Sequence, residues 1–125
     1  MATPGDAVLA ANQAFYDAHE GRDLEAMRAI CEHSDRAVCV HPGWPILRGW
    51  ADVEDSWARI LGGPGRNQFI LTNASVDVVG ELAWVTLDEN MVAPGGTSTV
   101  AATNVFARGD DGEWRLVVHH ASPLL

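Results

Sequence analysis

The second half of the chain constrains the fold more than any other feature. Four stretches rich in β-branched and aromatic residues follow one another, at 68–79, 82–93, 98–108 and 113–121. Only Gly80-Glu81, "PGG" and "GDDG" separate them. Short connections of this type favour tight reversals, so these residues predict an antiparallel meander of long strands. A sheet of that size has to bury one face against something apolar. The first half of the chain supplies the cover.

Val8, Leu9, Ala11, Phe15 and Ala18 recur at helical spacing behind Thr3 or Asp6, either of which can cap a helix. Gly21 ends that helix. Asp23 can cap a second, short one with Leu24, Met27, Ile30 and Cys31 on its buried side. Residues 37–41 read as a strand. Residues 42–49 hold two prolines and two glycines and read as a loop. A third helix is expected over about 51–61, with Val53, Trp57, Ile60 and Leu61 along one stripe, until "GGPG" breaks it. The order is α-α-β-α-β-β-β-β. It predicts an α+β fold in which a mainly antiparallel sheet packs on three helices from the N-terminal half. With 125 residues and no repeat or linker, residues 1–125 form one domain.

The net charge of -9 repels phosphate backbones and anionic lipid, so neither nucleic acid nor a membrane surface is an expected partner. No apolar run approaches the roughly 18 residues a membrane span needs. The start, "MATPGDAVLAANQ", lacks the basic-then-apolar pattern of a secretion signal, which makes the cytoplasm the expected compartment. Cys31 and Cys39 form no CxxC and read as buried free thiols, with a disulfide between them the alternative.

Three passages carry a resemblance. "GRDLEAM" joins the first two helices. "VCVHPGWPILRGWADVEDSW" has a strand, His-Pro, a loop, a glycine and a helix in order. "VFARGDDGEWRLVVHHAS" closes the sheet as a hairpin. Together they resemble the nuclear transport factor 2-like superfamily, in its SnoaL-like and ketosteroid isomerase-like branch. The resemblance implies a cone-shaped, curved sheet wrapped on the helices around an apolar pocket, and a homodimer formed through the outer sheet face.

It also implies candidate chemistry. His41-Pro42 occupies the place of the isomerase branch's Asp-Pro general base. Imidazole suits that role because its unperturbed pKa, about 6.5, lies near working pH. The position of the branch's tyrosine donor falls on Phe15, with Tyr16 turned about 100° away on a helix. The position of its second donor, a protonated aspartate, falls on Asn104, whose amide donates without a pKa shift. One donor is lost and one replaced, so steroid isomerisation is not expected. Alternation in the last strand puts Val117, His119 and Ala121 on one face and Trp114, Leu116, Val118 and His120 on the other, and the resemblance implies that the first face looks into the pocket. His41, Asn104 and His119 are therefore the candidate catalytic residues. Phe15, Trp44, Trp57 and Val117 are the candidate ligand contacts.

Each residue has a plainer reading. His41 can be a strand-end histidine bonded to its loop, His119 a satisfied core residue, and Asn104 a tie to a neighbouring strand. Trp44 and Trp50 flank the Pro/Gly loop as a lid, while Trp84 and Trp114 read as sheet packing. Of Asp88 and Glu89, which alternate faces, one can reach the pocket, and nothing identifies which. His119 and His120 point to opposite faces and cannot share an ion, so no metal is expected. No cofactor is expected either. The leading functional expectation is an isomerase, cyclase or lyase acting on a small apolar or aromatic ligand without a cofactor. A ligand-binding or assembly module and a purely structural homodimer are the alternatives.

Overall fold

The computed structural model describes residues 2–125. Helix α1 spans Pro4–Glu20, α2 Leu24–Ile30 and α3 Trp50–Gly62. The strands are β1 Val38–Val40, β2 Leu47–Arg48, β3 Gln68–Val79, β4 Leu82–Ala93, β5 Gly96–Arg108 and β6 Trp114–Pro123. Thr3, not Asp6, caps α1. Its hydroxyl accepts from the Asp6 backbone while the Asp6 carboxylate accepts from the Thr3 backbone, a reciprocal capping box. Asp23 caps α2 as expected. Gly49 opens α3 at φ 86°, a backbone angle that a β-carbon would strain.

The six strands form one open sheet in the order β2-β1-β6-β5-β4-β3. All pairs are antiparallel except β1 with β6. α1 packs on β3, β4 and β6, and α3 packs on β1 and β2. The core lies between these helices and the inner sheet face, with Val8, Phe15, Met27, Trp57, Val85 and Phe106 at its centre. Register slips in β3 (between Thr72 and Ser75) and along the β5–β6 pair bend long strands that would otherwise run flat. Among the described residues no helix is long and apolar enough to cross a membrane.

Two expectations need correction. The Pro/Gly stretch is not wholly loop, because Leu47 and Arg48 pair with Cys39 and Val38 as an edge strand. The face assignment in the last strand fails at one end. Val105 pairs with Val118 but Phe106 pairs with Leu116, so Val117 is an extra, unpaired residue. This bulge resets the alternation. Trp114 and Leu116 therefore join the core on the same side as His119 and Ala121, while Val118 and His120 line the outer face.

Candidate functional site

Alternation along β4 puts Ala83, Val85, Leu87 and Glu89 on the inner face, so Glu89 points inward and Asp88 does not. On α1, Asn12, Tyr16 and His19 are spaced i, i+4, i+7 and share the stripe that faces the sheet. β1 delivers His41 at its end, and its parallel pairing sets Cys39 beside His119. On the other side of β6, His119 pairs with Asn104. Chemistry-bearing groups from α1, β1, β4, β5 and β6 thus meet under one roof.

A cavity of about 230 Å³ lies there, faced by His19, His41, Trp44, Phe69, Glu89 and His119. A larger hollow of about 610 Å³ opens at the sheet edge near Glu20, Arg66 and Pro94. Among the described residues no histidine or buried carboxyl lines it, whereas the smaller cavity gathers the buried titrating groups.

The hydrogen bonds assign the protons. Ser56 Oγ donates to the Val53 carbonyl at 2.7 Å, so it can only accept from His41 Nε2, 2.9 Å away. That leaves the lone pair on His41 Nδ1, with Cys39 Sγ 3.8 Å from it and 3.4 Å from Nε2. Asn104 donates to Asn12 Oδ1 at 2.9 Å and to Tyr16 Oη at 3.1 Å. Its Oδ1 then accepts from His119 Nδ1 at 2.5 Å, leaving His119 Nε2 bare. Tyr16 in turn donates to Glu89 Oε2.

The electrostatics follow from burial. Burial, and then the charge of His19, pulls His41 down to about 4. His119 is pulled well below the ordinary imidazole range by burial first and the neighbouring histidines second. His19 is also lowered by burial. Glu89 is pushed up by burial, opposed in part by the Tyr16 hydrogen bond. Tyr16 is raised by burial and by Glu89. Burial thus shifts the imidazoles toward their neutral, proton-accepting form and the carboxyl toward its neutral, proton-carrying form. Environments that push titrating groups apart in this way suit acid–base chemistry.

The depressed His41 has a consequence for stability. Its ordinary value is 6.5, against about 4 in the fold. Above pH 6.5 its contribution is fully present. Between 6.5 and 4 the unfolded chain takes up the proton first, and stability falls. Glu89 acts in the opposite sense, since its contribution is present at low pH and is lost as pH rises through its elevated value. Urea midpoints are expected to drop as pH falls from 7 to 4.5, with His41 accounting for a loss on the order of 3 kcal/mol by pH 4. A His41→Gln variant should lose less over the same interval. Equal slopes for the two proteins would exclude His41 as the cause.

The expected site residues are placed unevenly. His41 and His119 both face the cavity, their rings 6.3 Å apart. Trp44 forms its wall, edge-on to His41 at 4.9 Å. Trp57 stands behind His41, edge-on at 4.7 Å, and its indole N–H has no partner among the described residues. Asn104 is buried behind His119 with both amide protons occupied, so it supports the imidazole and does not reach the cavity. Phe15 is also buried, packed edge-on against Tyr16 and Trp57. Val117 lines a narrow gap under α3 with Cys31, Cys39 and Trp57. Trp50, expected in a lid, stacks on His33 at 4.1 Å, away from the cavity. Sequence reasoning missed Tyr16, His19 and Asn12, although their shared helical stripe was visible. Ser56 carried no such signal. Among the described residues no group of three or more His, Cys, Asp or Glu side chains is arranged to hold a metal ion.

A six-stranded mixed sheet with three helices on its inner face defines a nuclear transport factor 2-like α+β domain. Residues 8–125 match the SnoaL-like domain family, and the chain belongs to that family. A candidate dehydratase of the NTF2-like family from Streptomyces avermitilis is 41% identical, with a TM-score of 0.88 over 97% of this chain and 96% of that one. A protein from Thiobacillus denitrificans, described as a candidate calcium/calmodulin-dependent protein kinase type II association domain, is 33% identical. Its TM-score is 0.85, over 94% of each chain. The Arabidopsis thaliana F-box protein SKIP8 is 28% identical over 119 residues, which is 95% of this chain and 50% of that protein. The chain thus spans about half the length of the curated relative it matches.

Proposed function

We propose that this protein moves a proton on a small uncharged molecule, as an isomerase, cyclase or lyase that needs no cofactor. One observation carries the reading: a single cavity of about 230 Å³ is faced by three imidazoles, of His19, His41 and His119, all shifted toward their neutral form, and a carboxyl whose pKa is raised. His41 Nδ1 takes a proton from carbon next to a carbonyl, and the C–H electron pair moves into the new carbon–carbon double bond. Glu89 supplies a proton to the carbonyl oxygen, or to a departing hydroxyl that leaves as water. His119 Nε2 is a second acceptor on the same wall.

The cavity limits the substrate. Its volume lies below the roughly 300–1,000 Å³ of sites for drug-sized ligands, which favours a single ring or short chain. Among the described residues no Arg or Lys lines it to pair with a carboxylate or phosphate. Trp44, Phe69, Ile60 and Met91 give it apolar walls suited to a flat or aliphatic body. The likeness to a candidate dehydratase agrees with elimination of water. The free, buried thiols of Cys31 and Cys39 suit a reducing compartment such as the cytoplasm.

The test is proton exchange in heavy water. Small ketones, aldehydes and β-hydroxy ketones are incubated with the protein and followed by proton NMR. Protein-dependent loss of the signal next to the carbonyl, or appearance of an alkene, is the expected result. Ligands that bind without exchange or elimination would make the cavity a holding site only.

A second reading, an assembly role through the outer sheet face, has its own support. Val79, paired with Leu82, and Trp84 two residues along stand together at one end of that face, with Val79, Leu82 and Trp84 65%, 45% and 37% exposed, more apolar surface in one region than scattered residues explain. The 33% identical structure is described as an association domain. Sedimentation is expected to give two chains per particle for the wild type and one for Trp84→Glu. A monomeric wild type would remove this reading.

A further inference from the structure

The hydrogen bonds around Asn104 run in one direction from one end of the cavity wall to the other. His119 Nδ1–H donates to Asn104 Oδ1, Asn104 Nδ2–H donates to Tyr16 Oη, and Tyr16 O–H donates to Glu89 Oε2. The two ends, His119 and Glu89, both face the cavity. Both middle residues are buried, and neither changes charge in the working range.

The direction is not fixed by the middle residues themselves. An amide can turn over, presenting its oxygen where its nitrogen was. A phenol has one proton and can give it to either neighbour. With Asn104 and Asn12 turned over, Tyr16 would donate to Asn104, Asn104 would donate to His119 Nδ1, and the imidazole proton would move to Nε2. The cavity would then face a donor where it now faces a lone pair. Only the end group breaks this tie. Glu89 Oε2, accepting the Tyr16 proton while any proton of the carboxyl itself sits on Oε1, forces every bond behind it into the present order.

We infer that Glu89 is a positioning residue for His119: acting through Tyr16 and Asn104, it fixes the imidazole tautomer and keeps Nε2 a proton acceptor toward the cavity. The chain uses Glu89 Oε2 only. Oε1 stays free to carry the proton that the proposed reaction requires, so the two roles of this carboxyl do not conflict. The inference deepens the reading of the cavity as an acid–base site, but its evidence is a tautomer and needs no substrate. The tautomer and the turnover can therefore fail separately.

The test is nitrogen NMR of histidine-labelled protein, because protonated and bare nitrogens of a neutral imidazole resonate far apart. His119 is identified by the signals lost in His119→Gln. The wild type is expected to show His119 protonated at Nδ1. Glu89→Gln still offers Tyr16 an acceptor oxygen and is expected to keep that tautomer. Glu89→Met, close in size but without an acceptor oxygen, is expected to move the proton to Nε2. Tyr16→Phe cuts the chain with Glu89 still in place, and both tautomers are expected. A wild-type His119 protonated at Nε2 would overturn the inference without any variant. So would an unchanged Nδ1 tautomer in either folded Glu89→Met or folded Tyr16→Phe protein.

Discussion

His41→Ala is expected to slow protein-dependent proton exchange by roughly 10²–10⁴-fold, the usual contribution of a positioned general base. The loss should fall on the rate and leave ligand affinity much less affected, because Trp44, Phe69 and Glu89 still enclose the ligand. The substitution is structurally mild at its most sensitive contact. Ser56 keeps its bond to the Val53 carbonyl, so no buried donor is stranded. A rate within a factor of about three of wild type would remove His41 from the base role. His119, whose Nε2 faces the same space, would then be the group to substitute next.

Phe15→Ala should be the most damaging single change to stability, at about 3–5 kcal/mol. Phe15 is fully buried, and its ring meets Tyr16 at 4.8 Å, Trp57 at 5.5 Å and His119 at 4.9 Å. Removing it forfeits both the buried area and these ring contacts. It also takes away the packing that holds Tyr16 against Glu89 and His119 against Asn104. Urea unfolding should show the loss as a lower midpoint. A change under about 1 kcal/mol would mean that the neighbouring rings collapse into the space.

These two residues also show how far the sequence could be read. The helices, long strands and His41 follow from spacing and turn chemistry, because amphipathic periods and Gly-rich reversals are local signals. The misplaced faces arise where a local signal is silent. Nothing in "LVVHH" marks Val117 as an extra residue, so strict alternation carried Trp114 and Leu116 to the wrong side. Phe15 and Tyr16 look like alternatives only if a helix buries a narrow line. Its buried stripe is about 100° wide, and both point inward, Phe15 into the core and Tyr16 onto the sheet. Glu89 was decidable, since Ala83, Val85 and Leu87 set the inward parity of β4 before it. The two-residue strand β2 is too short to leave any pattern, and it exists because β1 offers it a partner.

β1 joins the sheet through β6 on one side and carries only the short β2 on the other. Residues 38 and 118, paired across that seam, are separated by most of the polypeptide. A molecule in which the last strand has not docked therefore has no seat for His41, and the chamber cannot exist in part. Whatever small molecule belongs there recognises only the completed protein and raises its melting temperature in proportion to the logarithm of ligand concentration. Thermal shift across a library of small neutral carbonyl compounds thus tests directly whether the chamber takes such a molecule, and it works whether or not any of them is turned over.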